Sequence, residues 1–303
     1  MFKRIPALLL TGVMTFSLAV PAFAATAGDA ADIQMPAVEV RVLSAALTNE
    51  ETETQAASSN FYLNGEPVSQ TGMYFVNGIL YCSVRAFLEA ALPSATVTGT
   101  NGQIQVEGST QAGEALQVTA TVGDCYLTAN GRCLYVKGNV QNVNGVTMAP
   151  AGVLATIFGG SVAWNNETGV ANVTLGDRLL TSGESFYDAQ SLDLLARIIN
   201  AEAGNQPMSG KIAVGNVIMN RVNSSRFPNT IYEVVYAKNQ FSVVNSGAIN
   251  RTPNASSVAA AKLTLEGVSI LPTALYFNQA GLNCWAARNR DYVATIGGHS
   301  FYA

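Results

Sequence analysis

Apolar residues along this chain follow two different rhythms. From Phe61 to about Asp177 they come in short runs broken by Asn-Gly and other glycine-rich turns, which predicts short strands and hairpins. This stretch also repeats itself. "VNGILYCSVRAFLEAAL" from Val76 aligns with "VNGVTMAPAGVLATIFG" from Val143 at an offset of 67, and "YLNGEPV" near Asn64 echoes "TANGRCL" near Asn130. Each copy reads as a strand pair, a helix (Val84 to Ala91, then Ala151 to Phe158) and further strands in "QIQVEG" and "GVANVTLG". Two copies are too few for a solenoid, so the pattern predicts a small, mostly strand α+β domain built from duplicated halves.

From Ser185 onward the spacing becomes helical. "SFYD" fits a capping box with Asp188 at the third helical position. Leu192, Leu195, Ile198 and Ile199 then recur at spacings of three and four, predicting a helix with one apolar face that ends near Ala203-Gly204. A second helix is expected from Pro207, burying Ile212, Ala213, Val217, Ile218 and Val222. Two shorter helices follow: "FPNTIYEVVYA", capped by Asn229 or Thr230, and "SSVAAAKLTLEG", from Ser256 or Ser257 to a stop at Gly267. "ALYFNQ" and "DYVATIGGHSFYA" read as strands, with Gly297-Gly298 as a hairpin turn.

The chain opens with Lys3 and Arg4, an apolar run from Ala7 to Val20 and an Ala22-Phe23-Ala24 cleavage site. That is the pattern of a secretory signal peptide over residues 1–24, and it implies a secreted mature protein. No later stretch has the ~20 apolar residues of a membrane span. Residues 25–59, with "NEETETQAASSN", lack any apolar period and read as a disordered acidic linker.

Charge divides along the same line. Residues 25–185 carry 5 basic against 14 acidic residues, whereas residues 186–303 carry 9 against 6. The second half is mildly basic, which suits an anionic polymer. It shows no basic stripe interleaved with aromatics, so nucleic acid is not an expected partner. Cys125 and Cys133 bracket "CYLTANGRC" and have two readings, a disulfide or free thiols; Cys82 and Cys284 share the second. With one histidine, His299, and no C-x-x-C pair, no zinc pattern exists and no metal or cofactor is expected.

Among the six acids of the second half, Glu202 stands out. It falls at the predicted C-terminal end of the first helix, among Ile199, Ala201 and Ala203. Helix carbonyls and apolar neighbours both disfavour a carboxylate there, and so raise its pKa. A raised pKa suits a general acid aimed at a glycosidic oxygen. The plainer reading is a solvated glutamate at a helix terminus, and the residues alone favour it. Of the other acids, Asp188 and Asp193 lie in or near the first turn of that helix, and Glu233 and Glu266 in or near short helices.

The ordered series "LLARIINAEAGNQPMSGKIAVGNVIMNRV", "RFPNTIYEVVYAKNQFSVVNSGAI", "ALYFNQA" and "IGGHSFYA" resembles the spore cortex-lytic, SleB-like family of bacterial cell-wall hydrolases across residues 185–303. The resemblance implies a helix-rich, lysozyme-like domain with a short β-sheet that cuts the glycan strands of peptidoglycan. Its catalytic acid would be the glutamate of "AEA", Glu202. Gln240, Phe241 and Ser242 of "NQFS" and Tyr276 and Asn278 of "LYFNQ" would line the groove, with core packing the alternative for Phe241. His299 would make a structural hydrogen bond, and Trp285 either flanks the groove or is buried. Residues 60–180 resemble the copper amine oxidase N-terminal-like domain, carried by "FYLNGEPV", "VNGILYCSVRAFLEA" and "VNGVTMAPAGVLATIFGGSVAWNNETGVANVTLG". That stretch holds no histidine, so it implies a stalk or wall-associated module that binds no copper; a partner of its own is not identified.

No second acid falls in a matching motif, which disfavours a paired-carboxylate glycosidase. The expectation is therefore a lytic transglycosylase acting on the MurNAc–GlcNAc β-1,4 bond. A muramidase, an amidase (short of histidines for zinc) and a non-catalytic wall-binding protein are the alternatives, in that order. Spore cortex and vegetative wall remain equally open as substrates.

Overall fold

The computed structural model describes residues 54–56, 61–68, 73–100 and 102–303, all within one unit running from Val40 to Ala303. The signal peptide expected over 1–24 and most of the linker expected over 25–59 lie outside the described residues. Within that linker stretch, Thr54–Ala56 forms an edge strand, β1.

The strand-rich module continues with β2 (Phe61–Leu63), β3 (Glu66–Val68), β4 (Tyr74–Val76), β5 (Ile79–Ser83) and α1 (Val84–Ala91). A meander follows, β6 (Thr96–Thr100), β7 (Gln103–Ser109), β8 (Ala115–Thr121), β9 (Tyr126–Ala129) and β10 (Arg132–Tyr135). The second copy then supplies β11 (Gln141–Val143), β12 (Val146–Pro150), α2 (Ala151–Thr156), β13 (Ser161–Asn165) and β14 (Val170–Thr174). These strands form three sheets, ordered β1-β4-β5-β12-β11, β6-β7-β8-β9-β10 and β3-β2-β14-β13.

Four of the hairpins turn on Asn-Gly, at 64–65, 77–78, 130–131 and 144–145. In each, both turn residues have positive φ (45–53° for Asn, 73–87° for Gly). That is the type I′ geometry whose twist matches a two-residue hairpin. The duplication is also visible in the pairing. The offset that aligns the copies relates Cys82 to Ala149, and these two residues face each other where β5 meets β12 antiparallel. The halves thus meet about a local pseudo-two-fold, over a core that includes Tyr81, Phe87, Met148 and Leu154. α1 has the expected bounds and buries Val84, Phe87 and Leu88. α2 stops at Thr156, short of the expected Phe158, where Gly159 (φ 63°) turns the chain.

The second module contains α3 (Gly183–Phe186), α4 (Ala189–Ala203), α5 (Met208–Val222), α6 (Ile231–Tyr236), α7 (Ser242–Asn245) and α8 (Ala255–Leu265). β15 (Tyr276–Gln279), α9 (Trp285–Asn289), β16 (Tyr292–Ile296) and β17 (His299–Tyr302) close the chain, with the strands ordered β15-β17-β16. α4, α5 and α8 pack through Leu195, Ile198, Ile199, Val214, Val217 and Ala260. Small residues let them approach closely: a Cβ on Gly215 would lie 2.4 Å from Thr264 Oγ1.

The helix starts differ from the sequence reading in two places. Asp188 is the N-cap of α4 rather than its third residue, accepting the Ser191 N–H at 2.8 Å, because Ser182 caps the separate α3 and Tyr187 is extended. α8 is capped by Asn254, before the serines expected to do so, and Ser257 is buried inside it. All four cysteines are free thiols. Cys133 pairs with Thr128 and Cys125 precedes β9, so the two bracketing cysteines are not opposite one another. Among the described residues, no helix is long and apolar enough to cross a membrane.

Candidate functional site

Glu202 extends the buried face of α4. It follows Leu195, Ile198 and Ile199 by seven, four and three residues, so its side chain continues their stripe at the helix end. Those three residues are fully buried and Glu202 is half-buried. Burial pushes its carboxyl above the ordinary glutamate value. Among the described residues no ion pair or hydrogen bond holds it.

The other acids of this half are accounted for. Asp188 caps α4, Asp193 pairs with Arg197 at 2.7 Å, and Glu233 accepts the Thr230 hydroxyl at 2.9 Å. Glu266 accepts Arg132 and the Tyr187 hydroxyl. Asp291 is exposed.

The chain break after Glu202 is fixed from two sides. Asn200 Oδ1 accepts the Asn254 N–H at 3.1 Å, and Asn254 Nδ2 donates to Gly204 O at 3.1 Å, tying the end of α4 to the start of α8. Gln206 Oε1 accepts the Gly298 N–H at 2.7 Å, which seats the β16–β17 turn against the break. Gly204 is forced by proximity, since a Cβ there would stand 2.5 Å from Asn200 O.

An open cleft of about 490 Å³ lies along β15, lined by Arg221, Phe227, Gln240, Tyr276, Asn278 and Trp285 among others. Arg221 is its anchor. Although charged, it sits on the buried face of α5, donating from Nε to Leu275 O at 2.7 Å and from Nη1 to Gln240 Oε1 at 3.2 Å. Its guanidinium lies 5.0, 5.2 and 5.6 Å from the ring centroids of Phe227, Phe241 and Tyr276. Among the described residues no carboxylate pairs with it, and burial lowers its pKa to about 10.

The structure therefore brings Gln240, Tyr276 and Asn278 together in one cleft. Phe241 is 5% exposed and packs against Phe277 and Arg221, so it supports the cleft from within the core, as the alternative for it proposed. Ser242 is exposed at the start of α7, and neither it nor Glu202 lines this cleft. His299 stands edge-on to Phe277 and Phe301, with Nδ1 buried and without a hydrogen-bond partner among the described residues. The structural hydrogen bond expected of His299 is thus absent among the described residues, where the ring makes aromatic contacts, and burial holds its pKa below the usual value.

Sequence reasoning missed Arg221 altogether. The available signal was a cation four residues after Val217 on an apolar stripe. Trp285, which the sequence left between groove and core, is 52% exposed. Among the described residues, no group of three His, Cys, Asp or Glu side chains is placed to hold a metal ion.

Comparison with known proteins agrees with this two-part organisation. A copper amine oxidase N-terminal domain model matches residues 62–173, and a Cell Wall Hydrolase model matches residues 205–302, beginning just past Glu202. The spore cortex-lytic enzyme of Bacillus cereus is 33% identical over 116 residues, a match spanning 38% of this chain and 45% of that protein. The chain thus spans less than half the length of that relative. The catalytic domain of the germination-specific lytic transglycosylase SleB from Bacillus anthracis is 29% identical, with all of that domain and 41% of this chain covered at a TM-score of 0.37. The cell wall hydrolase CwlJ of Bacillus subtilis is 33% identical over 119 residues, which cover 83% of its length and 37% of this chain. Through that second module, this chain belongs to the cell wall hydrolase family.

Proposed function

We propose that this chain is an exported enzyme that cuts the MurNAc–GlcNAc β-1,4 bond of peptidoglycan as a lytic transglycosylase, with Glu202 as its single catalytic acid. The observation that carries this reading is the state of Glu202. Among the described residues it is the one half-buried carboxylate of its module with no structural partner, and burial favours its protonated form. The names of the relatives, spore cortex-lytic enzyme and cell wall hydrolase, point to the same class of substrate.

A protonated Glu202 gives its proton to the glycosidic oxygen as the bond from that oxygen to C1 of the muramic acid breaks. The resulting carboxylate then takes the proton of the C6 hydroxyl on the same sugar. The C6 oxygen bonds to C1 and closes a 1,6-anhydro ring, so no water is consumed and the glutamate ends protonated again. Gln240, Tyr276 and Asn278 offer amides and a hydroxyl that can hold acetamido and hydroxyl groups. The strand-rich module serves as a stalk or wall-associated unit, and the mature protein acts in the cell wall or spore envelope.

Incubation of the full mature chain with a peptidoglycan suspension tests the assignment. The native protein should clear the suspension, and Glu202→Gln should abolish clearing while leaving the circular dichroism spectrum unchanged. Undiminished clearing by Glu202→Gln sinks the assignment.

A further inference from the structure

Trp285 is a large apolar side chain left more than half exposed at the mouth of the Arg221 cleft. It is not a loose surface residue. The Arg290 guanidinium stands 4.7 Å from its ring centroid and 5.2 Å from that of Tyr276, while Tyr276 meets the indole edge-on at 5.7 Å. Arg290 Nη1 donates to Asn289 O at 3.3 Å, while its Nε is buried without a hydrogen-bond partner among the described residues. Cys284 starts the short helix by accepting the Ala287 N–H, and Asn289 Nδ2 closes it on Trp285 O at 2.8 Å. The indole is thus fixed from the side and the rest of it faces solvent.

Beside it, the cleft presents the amides of Gln240 and Asn278, and none of the residues lining it is acidic. A fixed indole next to two amides is suited to a ligand with one apolar face and amide or hydroxyl groups around its rim. An N-acetylated pyranose has that shape: its axial C–H bonds present an apolar face, and its acetamido group pairs with an amide.

We infer that Trp285, held by Arg290 and Tyr276, is the platform of a sugar-binding subsite that takes an N-acetylhexosamine ring, with Gln240 and Asn278 reading its acetamido and hydroxyl groups. This rests on the proposed glycan substrate and adds where one ring of the strand is seated.

The chain has two tryptophans, and the other, Trp164, sits in the strand-rich module against Phe75 at 5.1 Å. A full chain carrying Trp164→Phe therefore reports Trp285 alone. Titration of that protein with the tetramer of N-acetylglucosamine, in a Glu202→Gln background that prevents turnover, should shift the indole emission saturably. Separately, Trp285→Ala in the otherwise native chain should raise the half-saturating peptidoglycan concentration by roughly threefold to tenfold, the worth of one aromatic stacking contact. Arg290→Met should raise it in the same direction.

An emission that responds to stem peptide and not to the sugar tetramer overturns the inference. So does an emission indifferent to the tetramer while clearing still depends on Glu202, a result that leaves the catalytic reading intact. A saturable response in a protein that clears no wall supports the subsite and removes the activity instead.

Discussion

The contact between the strand-rich module and α8 allows a quantitative prediction. Arg132, at the start of β10, donates Nε to Glu266 Oε1 at 2.8 Å and Nη2 to Oε2, while the Tyr187 hydroxyl donates to Oε1 at 2.6 Å. The side chains of Arg132 and Glu266 are 16% and 9% exposed, and the guanidinium lies 3.6 Å from the Phe186 ring centroid. Glu266→Ala leaves a largely buried guanidinium without its counter-charge and a phenol without its acceptor. Removing one partner of a buried pair costs about 3–5 kcal/mol, and the slight exposure here places the loss near 3 kcal/mol. With a urea m-value of about 3 kcal/mol/M, the unfolding midpoint should fall by about 1 M. The double substitution Arg132→Met with Glu266→Leu should recover most of that loss, because a well-packed apolar pair carries no desolvation penalty. Glu89→Ala, which breaks the exposed Arg85–Glu89 pair, should cost at most about 0.5 kcal/mol. A Glu266→Ala loss as small as that of Glu89→Ala, or a double substitution as damaging as the single one, refutes the reasoning.

Asn216 in α5 donates to Val268 O at 2.7 Å and accepts the Ile270 and Leu271 N–H groups at 2.8 and 3.3 Å. Asn216→Ala orphans these backbone groups and should cost about 2–4 kcal/mol in urea unfolding. Gly215→Ala should lower stability by about 1–3 kcal/mol, since its methyl collides with Thr264 Oγ1 and Ile199; a neutral result in thermal unfolding shows that α5 and α8 are not so closely packed. Glu202 has its folded pKa raised by burial above the usual value of 4.5, so its carboxylate form destabilises the fold. The sign follows: the native residue is favourable below that usual value and progressively unfavourable as pH rises through the raised one. Glu202→Gln should therefore raise Tm relative to the native chain more at pH 7 than at pH 4, and calorimetry at both pH values reads the difference.

Local chemistry was legible in the sequence where it is decided locally. Asn-Gly at four hairpins required positive φ at both turn positions, the apolar spacing of Leu195, Ile198 and Ile199 set the face of α4, and Gly297-Gly298 made the β16–β17 turn. The bounds of α1 also followed from its own residues. Capping was less legible, because Asp188, Asn254 and Ser256 are all acceptable caps and tertiary packing chooses between them. Asn254 wins because it also bonds to Gly204 at the end of α4.

Pairings across long sequence separations were not legible. Arg132 and Glu266 carry no mark of each other, and Arg221 reads as an ordinary helical cation until the rings of Phe227, Phe241 and Tyr276 close around it. At the site, Gln240, Tyr276 and Asn278 line one cleft although they lie on separate stretches of the chain. For Phe241 the motif left groove and core both open, and its burial places it in the core; the hydrogen bond expected of His299 is absent among the described residues, where its ring packs against Phe277 and Phe301.

The claim at the centre of this account is a one-acid, water-free cleavage of the glycan strand, and the products report it most directly. Mass spectrometry of peptidoglycan digested by the full mature chain should find fragments ending in 1,6-anhydro-muramic acid, and none from the Glu202→Gln protein. Fragments with free reducing ends would contradict the intramolecular attack, and released stem peptides with intact glycan strands would contradict glycan cleavage itself.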